Sequence, residues 1–296
     1  MPMLKISVPA SSANLGPGFD VLALSFKLYN VFTFEESNKL EIISEFEEFN
    51  NENNLVYKTI KQVYKEFNKT PPLLKINVGS DIPLSRGLGS SATCILAGVI
   101  AANYYLGNKM SNYEIYKKAI EIEGHCDNIT SQFYGGLSMS LKENGEVYYK
   151  KMNVPKGMKC TALIPEFTLE TKLAREVLPK EITMEDAVFN LSHCLLMLNS
   201  LEKSNFSDLK LFFKDKLHQD YRAPLVNNFH EIVKESYSLG AYASYLSGAG
   251  PTIMIFRDEN DKEFNHKIES YLYTLNDKWT IKDLEIDNDG TIIEII

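Results

Sequence analysis

The spacing of apolar residues along the chain predicts a mixture of strands and helices. Residues 4–8 alternate between apolar and polar side chains, which is the period of a half-buried strand. Residues 55–67 instead repeat apolar side chains every three or four positions, as an amphipathic helix does. Strands and helices do not alternate regularly along the chain, so the pattern favours an α+β fold over a doubly wound sheet.

The same criteria predict the remaining elements. We expect strands over 31–34, 40–44, 73–78, 133–141, 146–150, 159–164, 252–256 and 291–296, and helices over 90–106, 113–124, 183–201, 206–215, 227–239 and 263–275. Ser90 or Ser91 is expected to cap the helix that Gly107 ends. Pro and Gly within Asn153–Gly157 precede a new strand, which predicts two domains, 1–154 and 155–296.

Composition narrows the class of protein. With 296 residues, 44% of them apolar and 24% charged, the chain can bury a sizeable core. Its net charge of −8 disfavours nucleic acid and anionic membranes as partners. The first residues do not resemble a signal peptide, and the apolar stretch 94–106 is too short to span a bilayer.

The four cysteines do not form a recognisable metal or disulfide motif. Cys94, Cys126, Cys160 and Cys194 are widely spaced and contain no Cys-x-x-Cys pair. Reduced thiols in a cytoplasmic protein are therefore the expectation, and a zinc site is disfavoured.

The strongest chemical signal is the glycine- and serine-rich string within Asp81–Thr93. Glycines at 87 and 89 allow a backbone to approach an oligophosphate closely, and the predicted helix that follows offers free amides and a favourable dipole. The hydroxyl groups of Ser90 and Ser91 add donors, and one of them is suited to Mg²⁺. The string predicts a binding site for an oligophosphate such as that of ATP.

Other interpretations of this string fit less well. Residues 87–92 formally match the dinucleotide fingerprint Gly-x-Gly-x-x-Gly/Ala, but no strand directly precedes the glycines and no acid follows about 20 positions later. The Gly-Lys-Ser/Thr of a Walker loop is missing. A plain glycine turn with a serine cap would explain a bare Gly-x-Gly better than it explains this longer string.

Three segments together resemble the GHMP kinases, named for galactokinase, homoserine kinase, mevalonate kinase and phosphomevalonate kinase. Residues 9–20 resemble the first motif of that family, residues 83–92 its phosphate loop with one extra residue before the glycines, and residues 246–252 its third motif. The three motifs occur in order and span most of the chain. The resemblance implies an N-terminal domain like ribosomal protein S5 domain 2 and a ferredoxin-like C-terminal domain.

Within this family the sequence is similar to the homoserine kinase branch. Residues 12–20, 123–128, 171–179 and 220–224 carry the similarity, and Cys126 departs from it because that branch commonly has proline there. We expect this departure to change the structure locally without abolishing activity. The resemblance implies that ATP phosphorylates L-homoserine with Mg²⁺ on the way to threonine, in a cytoplasmic enzyme that forms a homodimer.

The resemblance also implies roles for individual residues. Arg175 and Arg222 would grip the substrate carboxylate, Asp20 its ammonium group, and Asn14, His125 and Thr171 would add neutral hydrogen bonds. The positions expected to bind ATP are Pro83, Leu84, Ser85, Arg86, Gly87, Leu88, Gly89, Ser90, Ser91, Ala92, Gly248 and Gly250. Residues 54–57 resemble a stretch that borders the adenine pocket, although they also suit an ordinary helix start.

The expected Mg²⁺ ligands are Ser91 and an acid, for which Glu121 and Glu123 compete. On a helical wheel of about 100° per residue, Glu123 falls within the apolar arc and Glu121 outside it. An inward carboxylate needs a charge partner, which a metal would supply, so Glu123 is favoured unless the helix has already unwound there.

For the chemical step, relatives such as mevalonate kinase use an aspartate as a base, whereas the similar branch has asparagine, here Asn128. We therefore expect in-line transfer without a dedicated protein base, with Ser91, Glu123 and Asn128 as the catalytic residues. Alternatives are another GHMP kinase, a non-catalytic amino-acid or nucleotide sensor on the same scaffold and, more distantly, an NAD-dependent oxidoreductase.

Overall fold

The computed structural model describes residues 2–154 and 156–296, which form two β-sheets with helices packed against them. The first half contains β1 (Leu4–Ala13), β2 (Leu22–Glu36), β3 (Glu41–Ser44), α1 (Leu55–Glu66), β4 (Leu74–Ser80), α2 (Ser90–Tyr105), α3 (Asn112–Glu123), α4 (Asp127–Tyr134), β5 (Leu137–Glu143) and β6 (Glu146–Met152). The second half contains β7 (Met158–Pro165), α5 (Thr171–Glu176), α6 (Met184–Glu202), α7 (Leu209–Phe212), α8 (Gln219–Arg222), α9 (Phe229–Ser238), β8 (Ala243–Leu246), β9 (Ile253–Asp258), α10 (Phe264–Leu272), β10 (Trp279–Leu284) and β11 (Ile292–Ile295).

The first sheet is organised around the long strand β2. It runs in the order β11-β1-β2-β4-β3, with β5 pairing with β2 and β6 with β5. β2 is long enough to pair with β4 over residues 30–36 and with β5 over residues 22–24 along the same edge. β11 closes the other edge, where Leu4 lies opposite Ile295, so the C-terminal strand completes a sheet begun at the N-terminus.

The second sheet is antiparallel, in the order β10-β7-β9-β8, and both of its faces are covered. Met254 and Phe256 point to one side of β9, and Ile253 and Ile255 to the other, as the two-residue period of a strand requires. The first pair joins a cluster that also contains Phe26 of β2. This shared core packs the two sheets against each other, and α9 and α10 cover the far face of the second sheet.

The α+β prediction is confirmed, and several predicted element boundaries need correction. Residues 133 and 134 end α4, so the strand expected over 133–141 begins only at Leu137. The helix expected over 206–215 is shorter in the structure and corresponds to α7. The strands β8 and β10 lie in segments for which no strand was predicted. No helix in the described ranges is both long and apolar enough to cross a bilayer.

The predicted serine cap of α2 is wrong. The N-cap is Gly89, with φ 74°, and no side chain makes the capping hydrogen bond. The first amides of α2 are therefore not used by a serine cap.

Candidate functional site

One cleft contains most of the residues singled out from the sequence. It is lined by Ala13, Asn14, Asp20, Leu84, Ser85, Arg86, Gly87, Gly89, Ser90, Ser91, Ala92, Glu123, His125, Asp127, Asn128, Thr171, Arg175, Arg222, Gly248 and Ala249. Of the predicted site residues, Pro83, Leu88 and Gly250 lie outside this lining. The cleft thus brings together segments up to 236 positions apart, as the span from Ala13 to Ala249 shows.

Hydrogen bonds hold the three motifs together at this cleft. The Ser247 hydroxyl contacts both the Gly87 carbonyl, at 2.7 Å, and the Ser12 hydroxyl, at 2.8 Å. The Gly248 N–H donates to the Ala13 carbonyl at 3.1 Å, and the Asn14 amide donates to the Gly248 carbonyl at 2.9 Å. The first and third motifs are therefore directly bonded, with the phosphate loop fastened between them.

The phosphate loop approaches its neighbours too closely to tolerate a side chain at two glycines. A Cβ on Gly87, where φ is 75°, would lie 2.3 Å from the Ser247 carbonyl oxygen. A Cβ on Gly89 would lie 2.3 Å from the Ser11 hydroxyl oxygen. The loop leads directly into α2, whose first amides and dipole form a site for an anion, and the exposed Ser91 lies at that end.

Arg86 is engaged with backbone carbonyls. Its Nε donates to Pro165 at 2.8 Å, its Nη1 to Leu84 at 2.7 Å, and its Nη2 to Glu166. Burial lowers the pKa of this guanidinium, with a smaller opposing effect from the Glu166 carboxylate. In this arrangement Arg86 fastens the loop to the end of β7, and the ATP contact predicted for its side chain would require those bonds to rearrange.

Asp20 and Arg175 form an ion pair across the cleft. The Arg175 guanidinium donates to both carboxylate oxygens, Nη2 at 2.8 Å and Nη1 at 3.2 Å. Its Nε is buried without a hydrogen-bond partner among the described residues. The two side chains predicted to bind opposite ends of a zwitterion therefore neutralise each other in this structure.

Arg222 is the most deeply buried cation of the site, with 2% of its surface exposed. Its Nε donates to Ala174 O at 2.9 Å and its Nη1 to Gly248 O at 3.0 Å. Burial, and then repulsion from Arg175, lowers the pKa of Arg222 to about 10. Its Nη2 makes no hydrogen bond to a described residue, and Arg222 lines the cleft, so this donor is available to a ligand.

His218 contacts the Arg222 guanidinium and was not predicted as a site residue. Its Nε2 lies 2.9 Å from Gly16 O and its Nδ1 3.4 Å from Arg222 Nη1. The carbonyl can only accept, so Nε2 carries the proton and Nδ1 accepts from the guanidinium. Burial lowers the pKa of His218, which keeps it neutral in this role. The sequence feature that could have identified His218 is its position one helical turn before Arg222.

Phe19 lies between the two arginines. Its ring centroid is 5.7 Å from the Arg175 guanidinium carbon and 5.3 Å from that of Arg222. The face of an aromatic ring attracts a cation, so Phe19 helps to hold two like charges near each other. Sequence reasoning passed over Phe19 although it directly precedes Asp20 in the first motif.

Three titratable groups on and after α3 form another part of the cleft wall. Burial, reinforced by Asp127, raises the pKa of Glu123 to about 7, although Arg175 partly opposes the shift. Burial likewise raises the pKa of Asp127 to about 6. Burial, followed by repulsion from Arg175, lowers the pKa of His125, which favours its neutral form. This wall therefore carries less negative charge than its two carboxylates would have in water.

Glu123 and Glu121 have different surroundings. Glu123 is the last residue of α3, so the helix persists to that point, and its side chain lines the cleft. Glu121 instead pairs with Lys118 at 2.5 Å on the surface. Glu123 makes no side-chain hydrogen bond to a described residue, and neither does Ser91, so both have free oxygen ligands for a cation. No group of three or more His, Cys, Asp or Glu side chains in the described ranges is placed to hold a metal ion.

Asn128 has a defined amide orientation. Gln132 Nε2 donates to both Gly89 O and Ser11 Oγ, each at 2.9 Å. Because Ser11 accepts from Gln132, its own proton goes to Asn128 Oδ1, 2.7 Å away. The Asn128 Nδ2 group has no partner among the described residues, which leaves it available on the cleft side. Ser11 and Gln132 were not predicted as site residues.

Three remaining residues from the sequence analysis have simple structural roles. Cys126 precedes α4 with φ −88°, a value close to those that proline adopts. Asn54 caps α1 by accepting from Val56 N at 3.0 Å and does not line the cleft. Thr171 begins α5 and is exposed at the cleft wall.

Comparison with known proteins agrees with this geometry. Residues 54–136 match the GHMP kinases N terminal domain and residues 197–268 the GHMP kinases C terminal domain. The chain is 45% identical to a homoserine kinase of Clostridium botulinum over 293 residues, covering 98% of each chain. It is 43% identical to a homoserine kinase of Clostridium beijerinckii over 295 residues, covering 99% of each.

A solved structure of similar fold is the homoserine kinase of Cytophaga hutchinsonii. Its TM-score is 0.87 at 24% identity, and the match covers 99% of this chain and 97% of that one. The predicted fold is thereby confirmed. The chain belongs to the GHMP kinase family, in which homoserine kinases are its relatives over nearly the full length.

Proposed function

We infer that this protein transfers the γ-phosphoryl group of ATP to the hydroxyl group of L-homoserine, which yields O-phospho-L-homoserine for threonine biosynthesis. The observation that carries this inference is a single cleft lined both by the helix end suited to an anion and by Asp20, Arg175 and Arg222. Relatives that are 45% and 43% identical are named homoserine kinases. A cytoplasmic location belongs to the same proposal, supported by four free cysteines.

The charges favour a zwitterionic amino acid as the acceptor. Two guanidinium groups lie near one Phe19 ring, and among the described residues Asp20 is the only carboxylate paired with either of them, which leaves a place for one more anion. The substrate carboxylate fits that place, since Arg222 Nη2 has no hydrogen-bond partner in the described part of the chain and a guanidinium binds carboxylates in a forked geometry. The substrate ammonium group would then share the Asp20 carboxylate with Arg175. A sugar or an isoprenoid alcohol has no ammonium group for Asp20.

ATP is proposed to lie along the phosphate loop. The amides at the start of α2 would bind phosphate oxygens, and the glycines at 87 and 89 keep that path clear of side chains. Gly248, whose carbonyl receives donors from Asn14 and Arg222, would border the same site from the third motif.

Ser91 and Glu123 fit a magnesium ion. Both have oxygen atoms without protein hydrogen-bond partners among the described residues, and a carboxylate with a raised pKa is stabilised by a neighbouring cation. When bound, the ion would neutralise charge on the phosphates and orient them for transfer. With a single protein carboxylate this resembles the sparse protein ligation that Mg²⁺ usually has in kinases.

The chemical step would need positioning more than a base. The hydroxyl oxygen of homoserine forms a bond to the γ-phosphorus, the bond to the β,γ-bridging oxygen breaks, ADP leaves, and the hydroxyl proton is released. Asn128 would donate through Nδ2 to an oxygen near the transferring group and cannot accept the proton there. Phosphoryl transfer through a loose transition state tolerates the lack of a dedicated base.

The test is ADP release with Mg²⁺-ATP and a panel of acceptors. The panel contains L-homoserine, D-homoserine, L-serine, mevalonate, galactose and no acceptor. Turnover only with L-homoserine is the expected result. Turnover with another acceptor would keep the kinase assignment and reject the proposed substrate, whereas ATP binding without turnover on any acceptor would reject catalysis in favour of a sensor.

A further inference from the structure

The buried Arg222 guanidinium has one end left for a ligand. A guanidinium carries five hydrogens on nitrogen, all in one plane. The Nε of Arg222 donates to Ala174 O at 2.9 Å, and its Nη1 lies 3.0 Å from Gly248 O and 3.4 Å from His218 Nδ1. These contacts take up the hydrogens of Nε and Nη1, so the two on Nη2 remain for the cleft. The direction of Nη2 therefore depends on what holds the rest of the group.

The imidazole of His218 presents an acceptor to Arg222. Its Nε2 lies 2.9 Å from Gly16 O, which only accepts, so Nε2 carries the proton and Nδ1 keeps a lone pair. Asp215 Oδ2 is 3.7 Å from the same Nε2, which is too long for a hydrogen bond. That oxygen already accepts from the backbone N–H groups of His218 and Gln219, at 2.8 and 2.7 Å. The tautomer that suits Gly16 is thus the one that suits Arg222.

The imidazole is also fixed in orientation. His218 is 0% exposed, and its ring stacks on Phe19 with the centroids 5.2 Å apart and the planes 22° apart. Phe19 is the ring that faces the guanidinium groups of Arg175 and Arg222. The turn that carries His218 is held by the Asp215 carboxylate, which accepts four N–H groups. The imidazole is therefore held at both nitrogens and on one face.

Both nitrogens of His218 contact parts of the cleft. Gly16 lies in the loop between Asn14 and Asp20, and Arg222 itself lines the cleft. A histidine that was buried for packing alone would have no reason to join these two elements. Building on the proposed function, we propose that His218 is a positioning residue for the substrate carboxylate, which holds one Nη1 hydrogen of Arg222 and so directs Nη2 into the cleft.

The proposal predicts a specific kinetic effect. Without an acceptor at the Nδ1 position, the Arg222 guanidinium can rotate and its Nη2 loses its fixed direction. The substrate carboxylate does not change during phosphoryl transfer, so it is bound alike in the ground state and the transition state. Losing such uniform binding raises KM for the acceptor and leaves kcat unchanged.

The experiment compares two amide variants of His218 by steady-state kinetics. Glutamine reaches the Nε2 position and can still donate to Gly16 O, but it places no acceptor at Nδ1. His218→Gln should raise KM for L-homoserine about tenfold, the scale of one hydrogen bond to a charged group. Its kcat and its KM for ATP should stay within about twofold of the parent. Asparagine places its amide oxygen near the Nδ1 position, so His218→Asn should recover most of the affinity.

Two further variants separate positioning from stability. Gln219→Met removes buried hydrogen bonds to Leu246 N and Phe213 O from the same turn, and it should lower the urea midpoint without raising KM for L-homoserine. In an Arg222→Gln background, His218→Gln should add no further effect, because the two residues act as one unit. A parental KM in His218→Gln, an equal rise in Gln219→Met, or additive effects with Arg222→Gln would each overturn the proposal.

Nitrogen NMR of the histidine rings keeps the proposal testable if the variants do not fold. The parent signal of His218 is the ring N–H that exchanges most slowly with water, since this side chain is fully buried. The expected tautomer has its proton on Nε2, and a proton on Nδ1 would overturn the proposal. A parent that does not phosphorylate L-homoserine would reject the proposed function and this role with it. An active parent whose His218→Gln variant keeps the parental KM would reject this role alone.

Discussion

Single side chains in the cleft are kept in states that cost folding free energy. Burial raises the pKa of Asp127 to about 6 and of Glu123 to about 7, and it lowers the pKa of Arg222 to about 10. Each shift means that the folded protein disfavours the charged form relative to water. Such costs are expected where a charged ligand supplies the missing partner.

Ser11 provides a test of how Asn128 is oriented. Ser11→Ala removes the proton that fixes Asn128 Oδ1, so the amide can rotate away from the transferring group. We expect kcat to fall about tenfold, the scale of one hydrogen bond, while KM for the acceptor changes little. Steady-state kinetics with both substrates would measure this.

The matched control is Ser131→Ala, because Ser131 lies on α4, the same helix as Asn128. Ser131 is fully buried and bonds the Asn128 backbone carbonyl at 3.1 Å, not its amide side chain. If Ser11→Ala changes kcat no more than Ser131→Ala does, Ser11 does not position Asn128.

Asp127 provides a test of both mechanism and stability. Because its folded pKa is raised from 3.8 to about 6, the folded state binds the proton more tightly, and stability is lost as pH rises through this window. Asp127→Asn removes that loss. The variant should therefore be more stable than the parent at pH 8, by on the order of 2 kcal/mol, and the difference should vanish below about pH 4. Urea unfolding across pH measures it.

The kinetics of the same variant address the absence of a base. Asp127→Asn should keep the chemical step within about tenfold, as general-base removal typically costs more. Loss of the chemical step with unchanged substrate affinity, together with a steeper pH dependence, would show that Asp127 acts as a general base. That outcome would contradict the proposal that no protein base is needed.

At the scale of elements, the phosphate loop and α2 act as one unit. Gly89 ends the loop and caps the helix with φ 74°, and its missing side chain lets Ser11 and Gln132 reach the loop. The sequence motif predicted the position of this helix and its role, but not the cap. The glycine conformation is set by contacts with β1 and α4, which are distant in sequence.

Gly89→Ala should therefore damage function more than stability alone explains. A left-handed residue with a Cβ costs about 1–2 kcal/mol, and here the Cβ would also meet Gln132 Nε2 at 2.4 Å. We expect kcat/KM for ATP to fall at least 100-fold. Gly107→Ala is the control, because φ is 83° just after the same helix and nothing lies within 4 Å. If both variants lose the same activity, backbone strain alone accounts for the effect.

The elements that sequence reasoning missed share a physical cause. α4 has only eight residues, too few to display a period, and its aromatic end at residues 133 and 134 favoured a strand. β8 has four residues and is buried on both faces, so it shows no alternation. The motifs marked the walls of the cleft, but the pairing of Asp20 with Arg175 joins positions 155 apart, and no local pattern reveals such a contact.

At the scale of the whole molecule, the cleft lies where the two sheets are joined. We propose a division into two domains, 1–154 and 155–296. The domains are nevertheless joined, because β11 of the second domain completes the first sheet and one hydrophobic core contains residues from both domains. The first motif bonds directly to the third across this junction. The geometry of the site therefore depends on both parts being folded together.

Unfolding should accordingly be one cooperative transition, although a chain of 296 residues exceeds the usual size for two-state behaviour. Trp279, the single tryptophan, lies on β10 and reports the second sheet by fluorescence, while hydrogen exchange of the α2 amides reports the first half. Both probes should give the same urea midpoint.

Phe26→Ala tests whether the two sheets unfold together, since Phe26 lies in β2 of the first sheet but packs in the shared core. The lost packing should cost about 3–5 kcal/mol and lower both midpoints together, because neither sheet buries its inner face without the other. A Trp279 transition that stays in place while the α2 transition moves would mean that the two halves unfold independently.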